Sequence, residues 1–246
     1  MSDFRLDGKV ALITGAAGAI GSATARLLLA QGAALLLVDI DGRAAEDLAV
    51  QFGEMAVAHE TDLSRAANCH EAVETCMRRF GHLDILINNV GICPRRSVLE
   101  SSEEDWERIV GVNQKSMFFS SQAAVPHLRK AKGRIVSVAS YAGRAGAAVD
   151  ACIYSGTKGA IIAMTKAMAR ELAPDILVNA LAPGPVDSDL VRELSSEKLQ
   201  RVCDAIPLRR LAQPGEVAAA ILFLAGPASS YMTGATVDFN GGWYML

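Results

Sequence analysis

Short apolar runs alternate with stretches of helical periodicity along most of the chain, and this alternation limits the possible folds more than any other feature. The clear runs are VALIT at 10–14, ALLLV at 34–38, LDILI at 83–87, RIVSV at 134–138, DILVNAL at 175–181 and TVDF at 236–239, with EMAVAHE at 54–60 as a weaker candidate. They lack the period-two alternation of half-exposed strands. Buried strands separated by helices predict an α/β fold with a doubly wound parallel sheet covered on both faces.

Composition narrows the class of protein. With 246 residues, half of them hydrophobic, we expect a single domain over 1–246. A net charge of −3 without a basic stripe predicts neither a nucleic-acid partner nor a membrane partner. The first ten residues lack the apolar core of a signal peptide, and the five cysteines show no CxxC and no metal spacing. We expect a cytoplasmic protein without a bound metal.

The segment from Pro183 to about Leu211 interrupts the alternation. It is rich in Ser, Glu, Arg and Pro, and it has the pattern of a weakly amphipathic helix near 186–204. It follows a strand end, where open α/β sheets bind ligands. We expect residues 186–211 to form a mobile lid over a ligand.

A glycine-rich turn, TGAAGAIG at 14–21, joins the first strand to a helix. Glycines at such a turn allow backbone N–H groups and the helix N-terminus to meet a phosphate, although such turns also occur without ligands. About twenty residues later Asp39 ends the second strand, where a carboxylate accepts hydrogen bonds from an adenosine ribose and repels a 2′-phosphate. This predicts NAD rather than NADP. Asp41 is the competing candidate, and Asp39 is preferred because it lies nearer the strand end.

The pentapeptide YSGTK at 154–158 places a phenol and an ammonium one helical turn apart, at Tyr154 and Lys158. A cation on the same helical face lowers a phenol's pKa and makes it a proton donor or acceptor near neutral pH. Taken alone, the pair is better explained by a core tyrosine beside a solvated lysine, so the rest of the chain must decide.

An ordered set of motifs resembles the short-chain dehydrogenase/reductase family. The set consists of TGAAGAIG, NNVG at 88–91, Asn113 in GVNQKS, Ser140 in VSVAS, YSGTK and PGPVDS at 183–188, and it runs over nearly the whole chain. The ending VDFNGGWYML is also similar to those of members near β-ketoacyl carrier-protein reductases and polyol dehydrogenases. The resemblance implies a Rossmann-type fold, a nicotinamide cofactor and a catalytic tetrad of Asn113, Ser140, Tyr154 and Lys158.

The resemblance also implies roles for these residues. Tyr154 would exchange the hydroxyl proton while hydride passes between the substrate carbon and the nicotinamide, and Lys158 with the nicotinamide ring would lower its pKa. Ser140 would hold the substrate oxygen, and Asn113 would order a water. The cofactor is expected at Gly15, Gly18, Ala19, Ile20, Asp39, Asp62, Leu63, Asn89, Tyr154, Lys158, Pro183, Gly184 and Val186. For Asp62 a loop-capping role is an equal alternative, and NNVG is interpreted as structural support beside the cofactor.

Two departures from the family pattern bear on the site. Ala19 stands where the family's TGxxxGxG has its second glycine, and its methyl group would crowd the pyrophosphate if the backbone there required a positive φ. Ser140 and Tyr154 are also about one residue further apart than usual, which predicts an extended loop over 141–153 on the substrate side.

The sequence indicates the substrate only by chemical class. Arg95 and Arg144 are candidates, with Ser140, for contacting an anionic substrate, whereas Arg96 is interpreted as a surface residue. The main reading is an NAD(H)-dependent oxidoreductase that interconverts a secondary alcohol and a ketone, with a polyol, sugar or hydroxy acid as substrate. The alternatives are a 3-oxoacyl carrier-protein reductase and a non-catalytic nicotinamide-binding regulator.

The family also implies a homotetramer, with a dimer second. A predicted helix at about 153–172 carries Ala160, Ala163 and Ala167, which would allow close packing against another subunit or within the monomer. Trp243 and Tyr244 are expected at such an interface.

Overall fold

All seven strands of the computed structural model lie in one parallel sheet, in the order β3-β2-β1-β4-β5-β6-β7. The structure describes residues 4–146, 150–188, 191 and 195–245. The strands are β1 (Val10–Thr14), β2 (Ala34–Asp39), β3 (Ala56–Glu60), β4 (Ile85–Asn88), β5 (Arg134–Val138), β6 (Leu177–Pro183) and β7 (Thr236–Phe239). The doubly wound parallel sheet predicted from the apolar runs is confirmed.

Helices connect successive strands in the part of the chain that the structure describes. They are α1 (Ala19–Ala30), α2 (Gly42–Phe52), α3 (Ala66–Phe80), α4 (Glu103–Val110), α5 (Ser116–Ala131), α6 (Ala142–Ala145), α7 (Cys152–Leu172), α8 (Ser196–Ala205) and α9 (Pro214–Ala225). A π-helix (Gly111–Lys115) joins α4 to α5, and two 3₁₀ turns lie at Gly53–Met55 and Pro227–Ser229. No helix among these described residues is long and apolar enough to cross a membrane.

The core lies on both faces of the sheet, which explains why apolar residues follow one another in the strands instead of alternating with polar ones. In β1, Ala11 and Ile13 pack into the cluster that includes α1, α2 and α9, whereas Val10 and Leu12 pack into the cluster that includes α3, α5 and α7. Successive side chains of a strand point to opposite faces. A strand that is buried on both faces therefore carries apolar residues at consecutive positions.

The strand order reverses between β1 and β4, and this crevice positions the site. The chain proceeds outward from β1 to β3 on one side, and then returns to β4 and proceeds outward to β7 on the other. Loops from the two halves diverge at the carboxyl ends of β1 and β4, and ligands of open α/β sheets bind at such a switch point. Thr14 and Asn88 end these two strands.

Several predicted boundaries shift by two residues. The strands at 83–87, 175–181 and 54–60 are observed as Ile85–Asn88, Leu177–Pro183 and Ala56–Glu60. The helix predicted near 186–204 is observed as α8 at Ser196–Ala205, and residues 189, 190 and 192–194 of the expected lid lie outside the described residues. Val186 instead forms a bridge with Ala212, so the ends of this segment approach each other.

Candidate active site

The glycine turn after β1 is held by two close approaches. Gly15 has φ +62°, and a Cβ there would lie 2.9 Å from Cα of Val90. A Cβ on Gly21 would lie only 2.1 Å from the carbonyl oxygen of Gly15. Glycine is therefore required at both positions, at the first by conformation and at the second by helix packing against the turn.

The N-terminus of α1 opens at this turn and suits an anion. The first intrahelical bond runs from the N–H of Ser22 to the carbonyl of Gly18 at 2.8 Å, so the N–H groups of Ala19, Ile20 and Gly21 precede it. Gly18, the N-cap, is exposed and contributes no side-chain acceptor, and the first turn of the helix holds no acidic residue. The donor set fits the phosphates of a dinucleotide.

Ala19 does not strain the turn. It is the first residue of α1 and is not among the non-glycine residues with positive φ. A positive φ at Ala19 was the condition under which its methyl group was expected to crowd a pyrophosphate. That condition is not met, because Gly18 takes the N-cap position one residue earlier with φ −66°.

Asp39 lies against the glycine turn, and Asp41 has another role. The carboxylate of Asp39 accepts hydrogen bonds from the backbone N–H of Ala17 at 2.9 Å and of Asp41 at 3.1 Å. Asp41 is the N-cap of α2, where its carboxylate accepts from the N–H of Ala44 at 3.0 Å. The two candidates therefore differ in position: the carboxylate of Asp39 lies beside the glycine turn, whereas that of Asp41 caps α2.

Asp62 and Asn89 stabilise the loops that flank the crevice. Asp62 accepts hydrogen bonds from the N–H and the hydroxyl of Ser64, both at 2.9 Å, which is the loop-capping role. The side-chain amide of Asn89 donates to the carbonyls of Thr14 at 3.0 Å and Gly15 at 2.9 Å, so it joins the ends of β1 and β4. An adenine contact at Asp62 and the buried Leu63 stays a prediction.

Tyr154 and Lys158 meet on the first turns of α7. The ammonium of Lys158 lies 5.7 Å from the centre of the Tyr154 ring, and it donates to the carbonyl of Val138 at 2.8 Å, at the end of β5. Lys158 is 3% exposed. The helical spacing therefore places the pair as predicted, with the ammonium held inside the protein by the strand end.

The pKa values of this pair are moved by burial. Burial raises the pKa of Tyr154 to about 12, and a hydrogen bond with Ser140 opposes the rise only in part. Burial lowers the pKa of Lys158 to about 8. The sequence predicted a lowered phenol pKa with a nicotinamide bound; in the chain without a cofactor the pKa is raised instead, because desolvation of the phenolate outweighs the hydrogen bond with Ser140. The phenol is therefore protonated at neutral pH.

Asn113 lies in the π-helix and links the loop at Ile92 to α7 through hydrogen bonds. Its side-chain oxygen accepts from the N–H of Ile92 at 2.8 Å, and its amide donates to the carbonyl of Ile92 at 2.9 Å and to the hydroxyl of Thr157 at 3.2 Å. A Cβ on Gly91 would lie 3.2 Å from Nζ of Lys158 and 3.5 Å from Oδ1 of Asn113. Asn113 is therefore next to the lysine, but its polar atoms are already bonded to the protein.

A cavity of about 260 Å³ at the carboxyl edge of the sheet brings most of the predicted site together. The predicted residues that line it are Ile20, Asn89, Arg95, Ser140, Tyr154, Lys158, Pro183, Gly184 and Val186. The other predicted cofactor residues, Gly15, Gly18, Ala19, Asp39, Asp62 and Leu63, lie outside this cavity, towards β1, β2 and β3. The described residues hold no group of three or more His, Cys, Asp or Glu side chains that suits a metal.

Arg144 has a structural partner. Its guanidinium, on α6, donates to the carboxylate of Asp238 at 2.8 Å and to the carbonyl of Thr236 at 2.9 Å, both on β7. It does not line the cavity, whereas Arg95 does and makes no ion pair with the described residues. Of the two arginines expected near the substrate, the structure places only Arg95 there.

Among the residues that line the cavity, the sequence analysis missed Tyr141 and placed Trp243 at a subunit interface. Tyr141, directly after Ser140, stacks on Trp243 with ring centres 4.7 Å apart, and both rings line the cavity. Trp243 was expected at a subunit interface, yet it lies on its own chain's site. Adjacency to Ser140 was a usable signal for Tyr141, but no local signal links residues 141 and 243.

Comparisons with known proteins agree with this geometry. The family model described as enoyl-(acyl carrier protein) reductase matches residues 15–244. The 3-oxoacyl-[acyl-carrier-protein] reductase of Vibrio cholerae is 35% identical over 98% of this chain and 99% of that protein. The meso-2,3-butanediol dehydrogenase of Serratia marcescens is 36% identical over 97% and 95% of the two chains.

Two solved structures from Brucella melitensis share the fold. A short-chain dehydrogenase/reductase of the glucose/ribitol dehydrogenase type superposes with a TM-score of 0.95 at 36% identity, covering 99% of this chain and all of that chain. A 3-ketoacyl-(acyl-carrier-protein) reductase complexed with NADH superposes with a TM-score of 0.91 at 34% identity, covering 97% and 99%. The chain therefore belongs to the short-chain dehydrogenase/reductase family, and its relatives indicate a nicotinamide-dependent oxidoreductase that acts on a CH–OH group.

Proposed function

We propose that the protein is an NAD(H)-dependent oxidoreductase that interconverts 3-oxoacyl and 3-hydroxyacyl thioesters. The observation that carries the redox chemistry is the convergence of Tyr154, Ser140 and Lys158 on one cavity at the carboxyl edge of the sheet. The substrate class rests on the similarity to 3-oxoacyl carrier-protein reductases over nearly the full chain. This reading replaces a polyol or sugar as the first choice.

Tyr154 is the proton donor of the reduction. A bound nicotinamide cofactor would supply the hydride to the keto carbon. With its pKa raised to about 12, the Tyr154 phenol keeps its proton at neutral pH and can give it to the oxygen of the ketone. In the reverse direction the phenolate takes the hydroxyl proton.

Ser140 positions the phenol and the substrate oxygen, and Lys158 stabilises the negative charge of the phenolate. The hydroxyl of Ser140 bonds the phenol, so a substrate oxygen held by Ser140 is also within reach of Tyr154. Lys158, fixed by the carbonyl of Val138, supplies positive charge beside the ring when the phenolate forms. Asn113 holds the loop at Ile92 next to Lys158, and it therefore helps to position Lys158 and Tyr154.

NAD(H) is the proposed cofactor because the carboxylate of Asp39 lies against the glycine turn. The negative charge of a ribose 2′-phosphate would be repelled by this carboxylate. A related reductase with 34% identity has been solved with NADH. The free N–H groups at the start of α1 supply the complementary site for the pyrophosphate.

The proposed function is tested by NADH consumption with 3-oxobutanoyl thioesters as substrate. We expect turnover by the wild type and a loss of about 10²-fold or more in kcat for Tyr154→Phe, because the proton donor is removed. Titration with NADH should give a similar Kd for both proteins. Equal kcat in the two proteins would contradict the role of Tyr154. NADH binding by a wild type that turns over no substrate would favour the non-catalytic regulator.

A vicinal-diol dehydrogenase is the second candidate. It is favoured by the 36% identity with meso-2,3-butanediol dehydrogenase and by the small volume of the cavity, about 260 Å³. The same assay run in reverse, with NAD⁺ and meso-2,3-butanediol, separates the two. A kcat/KM for the diol above that for 3-hydroxybutanoyl thioesters would replace the first proposal with the second.

A further inference from the structure

A second cavity lies beside the one that holds Tyr154. This outer cavity has a volume of about 560 Å³ and includes none of the four tetrad residues in its lining. The two cavities share Gly184 and Pro185, in the loop after β6, as lining residues. The inner cavity, at about 260 Å³, is smaller than the roughly 300–1,000 Å³ usual for ligand pockets. Space for a longer ligand therefore exists next to the reacting groups, but not among them.

Trp243 lies where the chain passes from one cavity to the other. It lines the inner cavity, while its chain neighbours Gly242 and Tyr244 line the outer one. The indole stacks on Tyr141 with an interplanar angle of 23°. The pair of rings thus forms part of the wall of the inner cavity, next to backbone whose neighbouring residues line the outer one.

A turn of fixed conformation places the indole there. Gly241 and Gly242 have φ of +64° and +85°, a region that favours glycine. The side chain of Asn240 accepts from the N–H of Gly242 at 3.0 Å, and its carbonyl accepts from the N–H of Trp243 at 3.1 Å. The sequence Asn-Gly-Gly-Trp therefore encodes both the turn and the direction of the ring.

The turn is also packed tightly against its surroundings. A Cβ on Gly184 would lie 2.9 Å from Cα of Asn240, and a Cβ on Gly241 would lie 2.8 Å from Cγ2 of Ile206. The N–H of Leu208 donates to the carbonyl of Gly241 at 3.2 Å. Contacts on both sides of the turn hold Trp243 in place against the loop after β6 and the segment after α8.

The outer cavity suits an alkyl chain. Its apolar lining includes Ile206, Leu208, Phe239 and Met245, and its ion pair of Arg210 with Glu216 is already satisfied. Leu208 and Met245 are 63% and 74% exposed, so apolar surface is available there. A chain that reached this cavity would bury apolar area, which stabilises binding.

We propose that Trp243 is a specificity-determining residue that restricts the substrate to short 3-oxoacyl groups by separating the inner from the outer cavity. This inference rests on the proposed function, whose substrate class it narrows. The nicotinamide would take the side of the inner cavity that Ile20, Asn89 and Gly184 line, and a 3-oxobutanoyl group is short enough for the remaining space beside Tyr154 and Ser140. A 3-oxooctanoyl group needs the space behind the indole.

Chain-length selectivity tests this proposal. The substrates are N-acetylcysteamine thioesters of 3-oxobutanoate and 3-oxooctanoate, with NADH as reductant and with kcat and KM measured separately. We expect the ratio of long-chain to short-chain kcat/KM to rise at least about tenfold in Trp243→Ala, since pocket space for a single methylene is worth about that factor. The change should appear mainly as a lower KM for the long substrate. Trp243→Phe keeps an aromatic partition and should keep the wild-type ratio.

Two further variants locate the effect. Met245→Ala enlarges the outer cavity behind an intact indole, so we expect the wild-type ratio. Leu208→Gln makes the outer cavity more polar, and it should lower long-chain kcat/KM in the Trp243→Ala background but not in the wild type. Such non-additivity is the sign that two residues share one ligand.

The outcomes separate this inference from the proposed function. An unchanged ratio in Trp243→Ala, with NADH binding retained, would overturn the inference and leave the proposed function standing. A wild type that binds NADH but reduces neither thioester would overturn the proposed function and this inference with it. If Trp243→Ala does not fold, Trp243→Leu takes its place, and an unchanged ratio in that variant overturns the inference equally.

Discussion

At the scale of single residues, burial decides the electrostatics of the site. Sequence spacing places Tyr154 and Lys158 on one helical face, and the structure confirms that they are neighbours. Spacing does not report how much water surrounds them, and the loss of water moves the two pKa values apart, to about 12 for Tyr154 and about 8 for Lys158. Both groups are thereby shifted towards their neutral forms.

The lowered pKa of Lys158 predicts a pH-dependent stability. Between pH 8 and 10.5 the unfolded chain binds a proton at this lysine that the folded chain does not, so the free energy of unfolding rises with pH in this window. We expect a rise of roughly 2 kcal/mol between pH 7.5 and 9.5 in cofactor-free protein, relative to Lys158→Met. Urea unfolding of both proteins at the two pH values measures it. Parallel pH profiles would show that the ammonium is not desolvated.

Asp39 is predicted to select the cofactor. Replacing it with serine removes the negative charge beside the glycine turn, so we expect the ratio of kcat/KM for NADPH to that for NADH to rise at least about tenfold, the effect of roughly 1.4 kcal/mol. Asp41→Ser is the matched control, because Asp41 caps α2 and serine is also a good N-cap. If both variants change the ratio equally, the assignment to Asp39 fails.

At the scale of elements, the turn between β1 and α1 shows which glycines are required. Sequence comparison with the family pattern drew attention to Ala19, but the structure gives Ala19 an ordinary helical position and leaves the close contact to Gly21. The family motif is met through the N-cap Gly18 one residue earlier. Only coordinates reveal which position of a glycine-rich turn is crowded.

Exchanging alanine and glycine in this turn tests that conclusion. Ala19→Gly should leave the Kd for NADH within about twofold and cost up to about 1 kcal/mol of stability through lower helix propensity. Gly21→Ala puts a Cβ 2.1 Å from the carbonyl of Gly15, so the turn must move and both stability and NADH affinity should fall strongly. Fluorescence titration and thermal unfolding measure the two effects. The reverse ranking of the two variants would contradict the observed helix start.

At the scale of the whole molecule, assembly is the main open expectation. Ala163 and Ala167 are exposed on α7 in the single chain. Small exposed residues along a helix allow another helix to approach closely, as expected for a homotetramer or, second, a dimer.

A charged substitution on α7 tests the assembly. We expect a tetramer for the wild type and a smaller species for Ala167→Glu, because an unpaired carboxylate in a close interface is costly. Light scattering after size-exclusion chromatography gives the mass. Val50→Glu, at an exposed position on α2, is the control and should keep the mass of the wild type. A tetramer in both variants would place the interface elsewhere.

The sequence by itself determined the parallel sheet and the proximity of Tyr154 to Lys158, whereas the catalytic tetrad of Asn113, Ser140, Tyr154 and Lys158 stays a prediction from the family resemblance. Continuous apolar runs require two covered faces, and helical spacing in YSGTK sets the distance from Tyr154 to Lys158, so both follow from local periodicity. The tertiary structure alone decided the pKa directions, the pairing of Arg144 with Asp238 and the contact of Trp243 with Tyr141. These depend on burial and on residues about a hundred positions apart in the chain, which no local pattern brings together.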